Sequence, residues 1–155
     1  MKLSIDIQSL QHTGHVKRGI GRYVIFLIRS IINNPLVKKI YLVGNGNASN
    51  VFYLFKKEIS LEPDRIFYLN WHFPDSNALR DLSDRQIKEL NIKLKSFFFS
   101  QLDTDLILLT SFFDGFKDDI YVPLDKKYNL PPVASLIYDL IPLIQSDIYL
   151  NNNPE

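Results

Sequence analysis

The sequence contains no cysteine, so disulfide bridges, thiolate metal sites and cysteine nucleophiles are excluded. That absence fits a reducing compartment. An excess of one charge is also lacking. The 18 basic and 17 acidic side chains leave a net charge of +1, which gives no basis for a polyanion-binding surface and argues against a nucleic-acid partner. No long apolar run occurs. The longest stretch, residues 23–32, is broken by Arg29 and Ser30. It falls far short of the roughly 18 or more apolar residues that a spanning helix needs. Asp6 stands where a signal peptide would require apolar residues. The expected location is therefore cytoplasmic, with peripheral contact at the inner face of a membrane left open. A Gly-x-Ser-x-Gly elbow is absent too, which removes support for a serine triad.

What is present suits one globular domain. The chain has 155 residues, of which 46% are hydrophobic, and includes 11 phenylalanines and eight tyrosines. A chain of this length and composition can bury a core without staples. Apolar periodicity predicts strands over residues 3–7, 39–43, 65–69, 105–110 and 133–138. It predicts a helix from Gly19 that is apolar over much of its girth and is stopped by Asn33-Asn34-Pro35. A short helix is expected over residues 50–59. A longer one should start from a capping box of Ser83 and Gln86 and present Ile87, Leu90, Leu94, Phe97 and Phe98 on one face. Residues 8–18 read as a polar loop. Unbroken apolar strands alternating with helices give an α/β fold: a Rossmann-like, doubly wound, mostly parallel sheet with helices on both faces.

In such a sheet, ligands sit outside the carboxyl ends of the strands. Four loops fall there. The first ends in Gly19-Ile20-Gly21-Arg22 at a helix start, where backbone N–H groups and the helix dipole favour an anion and an arginine adds a fixed positive charge. The bland alternative is glycine easing a tight turn. Val24 stands where a dinucleotide fingerprint would have its third glycine, which argues against a nucleotide-dependent oxidoreductase. The second loop is Asn70-Trp71-His72, whose aromatic character suits either sugar stacking or core packing. The third holds Asp114-Gly115, a turn signal in its own right. The fourth is Tyr138-Asp139-Leu140-Ile141-Pro142. Asp139 there suits hydroxyl binding or base chemistry, or else a cap for the next turn. His12 and His15 share a loop without a carboxylate at ligand spacing, so no metal site is expected. The lysines at 38, 39, 56, 57, 88, 93 and 95 read as a solvated face, with a membrane-facing patch as the alternative.

These loops together resemble a known family. Arg18-Gly19-Ile20-Gly21-Arg22-Tyr23 resembles the Arg-Gly-Ile-Gly-Arg-Tyr stretch of bacterial family-four GT-B glycosyltransferases, the mannosyltransferase-like group. Ile5-Asp6-Ile7-Gln8-Ser9-Leu10-Gln11 is similar to that group's first strand and loop. Ser111-Phe112-Phe113-Asp114-Gly115 is similar to its Ser-x-Phe-Glu-Gly element, with aspartate for glutamate. Tyr138-Asp139-Leu140-Ile141-Pro142-Leu143 resembles its His-Asp-Leu-Ile-Pro-Leu element, with tyrosine for histidine.

The resemblance implies a retaining glycosyltransferase built of two Rossmann-like domains. On that reading, residues 1–155 form the N-terminal, acceptor-side domain. A C-terminal domain, absent from this chain, would bind most of the nucleotide-sugar. No cofactor and no metal are implied beyond the nucleotide-sugar donor itself. Gly19, Gly21 and Arg22 would face the donor diphosphate, and Asp139 would lie near the reacting sugar or the acceptor hydroxyl. Gln8, His15, Asp114 and Tyr138 would contact a saccharide or lipid-linked acceptor in cell-surface polysaccharide synthesis. The chain alone would be inactive. The end at Asn151-Asn152-Asn153-Pro154-Glu155 reads as a cut within a longer protein. A non-enzymatic α/β binding or regulatory module is the competing reading.

Overall fold

A computed structural model of the chain describes residues 1–11, 19–47, 64–72, 79, 81–111 and 122–138. Within them run β1 (Lys2–Asp6), α1 (Gln8–Gln11), α2 (Gly19–Ile32), β2 (Lys39–Asn45), β3 (Ile66–Trp71), α3 (Asp84–Ser100), β4 (Leu106–Leu109) and β5 (Val133–Ser135). The strands form one five-stranded sheet in the order β3-β2-β1-β4-β5, and every pairing is parallel. This is a Rossmann-like α/β fold. The helix expected over residues 50–59 lies outside the described residues.

Alternation along the strands sorts side chains onto two faces. On one face, Leu3 and Ile5 of β1 join Ile40 and Leu42 of β2 and Ile66 of β3 under Val24, Ile28 and Ile32 of α2. On the other, Tyr41, Val43, Trp71, Ile107 and Leu109 gather around Phe99 of α3. Helices therefore cover both faces, as the apolar strand runs predict. Ile5, Ile28, Ile40, Leu42, Phe99 and Ile107 are fully buried. Each contributes about 1.5–3 kcal/mol relative to an exposed side chain.

Local signals set the helix ends. α2 stops at Ile32, and beyond it the Asn34 side chain accepts from the Leu36 amide at 3.0 Å. Arg65 then donates to the carbonyls of Val37 and Asn34, both at 2.8 Å, and ties this turn to the entry of β3. The expected capping box is formed: the Ser83 hydroxyl accepts from the Gln86 amide, and the Gln86 side chain accepts from the Ser83 amide.

Three expectations need correction. α2 is not apolar-covered around its girth; only Gly21, Val24, Ile28 and Ile32 are buried, while Tyr23 is 52% and Phe26 67% exposed. The buried row of α3 is Asn91, Lys95, Ser96 and Phe99, and Phe97 is exposed. The face is thus rotated by about one residue, roughly 100° of helix, from the apolar stripe. On that row Lys95 meets the buried Asp6 of β1, with Nζ 2.6 Å from Asp6 Oδ2. Residues 8–11, expected as polar loop, form a buried helical turn in which the Gln8 amide donates to Asp6 Oδ1 at 3.1 Å. Trp71 ends β3 as a buried core residue, in line with the core-packing reading of its loop.

Candidate functional site

The chain runs from β1 outward through β2 to β3, then returns to lay β4 on the other side of β1. The strand order therefore reverses between β1 and β4, and the carboxyl ends of those two strands flank the crevice where open α/β sheets bind ligands. Polar side chains concentrate there. Asp6 ends β1 and Gln8, Ser9 and Gln11 follow it, Asn45 ends β2, and Thr110 and Ser111 follow β4; all seven are buried.

Their bonding is specific. Thr110 Oγ donates to the Asp6 carbonyl at 2.6 Å, and Ser9 Oγ lies 2.6 Å from the same Thr110 oxygen. A hydroxyl has one proton, so Ser9 is the donor of the second bond. This pair stitches β1 to β4 across the reversal. On the other side, Gln11 pairs with the Asn45 backbone as a strand would. Its Oε1 accepts from the Asn45 amide at 2.6 Å, and its Nε2 donates to the Asn45 carbonyl at 2.8 Å.

Beneath α1 lies a buried cation. Lys95 of α3 is 0% exposed, and its Nζ sits 2.6 Å from Asp6 Oδ2 and 2.7 Å from Gln8 Oε1. The same ammonium stands 5.6 Å from the centre of the Trp71 ring, within cation–π range. Burial pushes Lys95 below the ordinary lysine range, and the charge of Asp6 and the hydrogen bond to it oppose that shift. Lys95 was among the lysines read as a solvated face; the structure overturns that reading, because Asp6 provides a counter-charge inside the core. The Trp71 indole N–H, also buried, has no acceptor among the described residues.

The residues expected to bind ligand divide into groups. Gly19 begins α2 with no atom within 4 Å of an added Cβ, so it opens onto free space. Gly21 is buried and Arg22 is exposed, and the first turn of α2 holds no acidic residue. Tyr138 is brought to this helix end, where its ring meets Tyr23 edge-on at 5.8 Å and 88°. Its hydroxyl donates to the Thr110 carbonyl at 2.7 Å, which ties β5's exit to the reversal point. Gln8 is 4% exposed and turned inward to Lys95, so it shapes the site from below rather than presenting its amide to an acceptor. Asp139, His15 and Asp114 lie outside the described residues. His72 is exposed at the end of β3.

Sequence reading missed Lys95, Ser9 and Thr110. One signal for Lys95 was available: it stands four residues from both Asn91 and Phe99, on the row that packs inward. Among the described residues no group of three or more histidines and carboxylates could hold a metal, and no helix is long and apolar enough to cross a membrane. No protein-family model, curated protein or solved structure matches the chain.

Proposed function

We propose that this chain is the N-terminal, acceptor-side domain of a retaining GT-B glycosyltransferase. The full protein would transfer a sugar from a nucleotide-sugar to a saccharide or lipid-linked acceptor in cell-surface polysaccharide synthesis. One observation carries the reading. The start of α2, with Gly19 facing open space and Arg22 exposed, lies beside Tyr138 at the carboxyl ends of a parallel sheet. A departing diphosphate develops negative charge, and a helix N-terminus with free N–H groups and a nearby guanidinium stabilises such charge. Asp139, one residue beyond Tyr138, supplies the carboxylate for the acceptor side in this reading. A second domain closing over this end would exclude water from the reacting sugar. The sugar nucleotide is substrate, and no cofactor is invoked.

The competing reading, a non-enzymatic binding module, draws support from a different observation. Gln8, Ser9, Gln11 and Tyr138 already spend hydrogen-bonding groups on the side chains of Lys95 and Thr110 and on the backbone of Asn45 and Thr110. Gly19→Val separates the two. The new side chain meets no protein atom near its Cβ, so folding should be unchanged. In the protein expressed from its complete gene, sugar transfer should fall at least about tenfold, because the methyl groups block the approach of a phosphate to the helix start. Transfer at the wild-type rate in Gly19→Val would remove the phosphate role. A wild-type protein that transfers no sugar from any common nucleotide-sugar would favour the binding module.

A further inference from the structure

An ammonium that is completely buried needs a reason. Desolvating a lysine and a carboxylate together consumes most of what their attraction returns, and well-packed apolar replacements of such pairs are often neutral or stabilising. The Asp6–Lys95 pair is therefore a poor device for holding the sheet together. Its placement suggests another use. Lys95 projects from the middle of α3 to the carboxyl end of the central strand, and three directions around its Nζ are filled by Asp6 Oδ2, Gln8 Oε1 and the face of Trp71. An ammonium has three protons to give, so each has a partner.

The partners are what matter. Asp6 uses Oδ2 for Lys95 and Oδ1 for the Gln8 amide, which opens the α1 turn. Gln8 is thus gripped twice, by its backbone through Asp6 and by its side chain through Lys95. One residue on, Ser9 reaches Thr110 across the strand reversal, and Gln11 fixes the end of β2. Release of Gln8 would free the first turn of α1 and slacken both of those contacts.

We infer that Lys95 is a positioning residue for the switch-point site. Acting through Asp6 and Gln8, it fixes the α1 turn at the mouth between β1 and β4, and the buried pair serves placement rather than net stability. This rests on reading the carboxyl ends of the strands as the binding end. The nature of the reaction is not needed for it.

The test uses the full-length protein and two variants. Asp6→Leu/Lys95→Met replaces both charges with apolar groups of similar volume. Gln8→Leu leaves the ion pair in place and removes the side-chain grip of Lys95 on Gln8. The measurements are the unfolding midpoint, amide hydrogen exchange resolved to residues 8–11, and kcat and KM for sugar transfer. The double variant is expected to keep its midpoint and its exchange protection in β2 and β4, while the amides of residues 8–11 exchange at least about tenfold faster. Gln8→Leu should speed the same amides and lower the midpoint, because it strands one proton of the buried ammonium. In both variants kcat should fall more than KM rises, as expected when reacting groups are misplaced rather than binding lost. The proposal is overturned by a double variant that does not fold, or by wild-type protection of residues 8–11 in either variant. Absence of sugar transfer by the wild-type protein would sink the proposed reaction, and the exchange measurement would still decide the role of Lys95.

Discussion

Thr110→Val perturbs the strand reversal with little change of shape. Threonine and valine have nearly the same outline, and Thr110 is 1% exposed, so the substitution creates no cavity. It removes one hydroxyl that serves two bonds of 2.6 Å, to the Asp6 carbonyl and from Ser9. Each stranded group, a buried carbonyl and a buried hydroxyl, costs about 1–3 kcal/mol when left without a partner. The Ser9 hydroxyl can rotate toward another acceptor, so the lower half of the combined range applies, roughly 2–4 kcal/mol. With a urea dependence of about 2 kcal/mol per molar, the unfolding midpoint should fall by about 1–2 M. Equilibrium urea unfolding followed by tryptophan fluorescence reads this directly, since Trp71 is the only tryptophan and is buried in the core beside α3. Ser9→Ala in the Thr110→Val background should add less than it does alone, because its partner is already gone; the coupling should be about 0.5–3 kcal/mol. A midpoint for Thr110→Val within about 0.3 M of wild type would refute the claim that this hydroxyl joins β1 to β4.

Two further outcomes follow from the same end of the sheet. A Cβ added at Gly44 would lie 3.0 Å from Gln11 Oε1, which its bonds to Asn45 hold in place, whereas one added at Gly46 would overlap only the ring of exposed His72. Gly44→Ala should therefore lower the thermal midpoint by several degrees, about 1–2 kcal/mol, and Gly46→Ala should move it little while rotating His72; equal losses would refute the assignment. Burial holds Lys95 below its ordinary value of 10.5. Between the folded value and 10.5 the unfolded chain binds more protons than the folded one, so this residue makes stability rise with pH across that window. The difference in unfolding free energy between wild type and Lys95→Met should increase toward pH 10.5, and a difference that falls with pH over that range would contradict the buried-cation assignment.

Much of the architecture could be read from the chain because it depends on local rules. Continuous apolar runs such as residues 105–110 mark strands covered on both sides, and β4 appears there. The Ser83–Gln86 capping box and the Asn34-Pro35 stop act within a few residues of themselves, so sequence and structure agree on them. The orientation of α3 could not be read this way. Its apolar stripe pointed one way, while the row that packs inward carries Lys95, whose partner Asp6 is some 90 residues distant in sequence. The same holds for the site. Gly19 at a helix start is a local feature. The Ser9–Thr110 stitch has partners 101 residues apart and leaves no mark on either neighbourhood. The inward contact of Gln8 with Lys95 joins residues 87 apart and is likewise invisible in the local sequence.

The position of β1 in the sheet also bears on synthesis. Among the described strands it is synthesised before the others, yet it occupies the centre of the sheet, and its partner on one side comes late: Leu3 pairs with Ile40 but also with Leu106. At about 5–20 residues per second, roughly 5–20 s separate the emergence of β1 from that of β4. During that interval one edge of β1 offers unpaired amides and carbonyls to any passing strand. Ser4 and Asp6 make one face of the strand polar through this delay. Asp6, which later receives Lys95, thus joins Ser4 in denying the nascent strand the unbroken apolar surface on which aggregation begins.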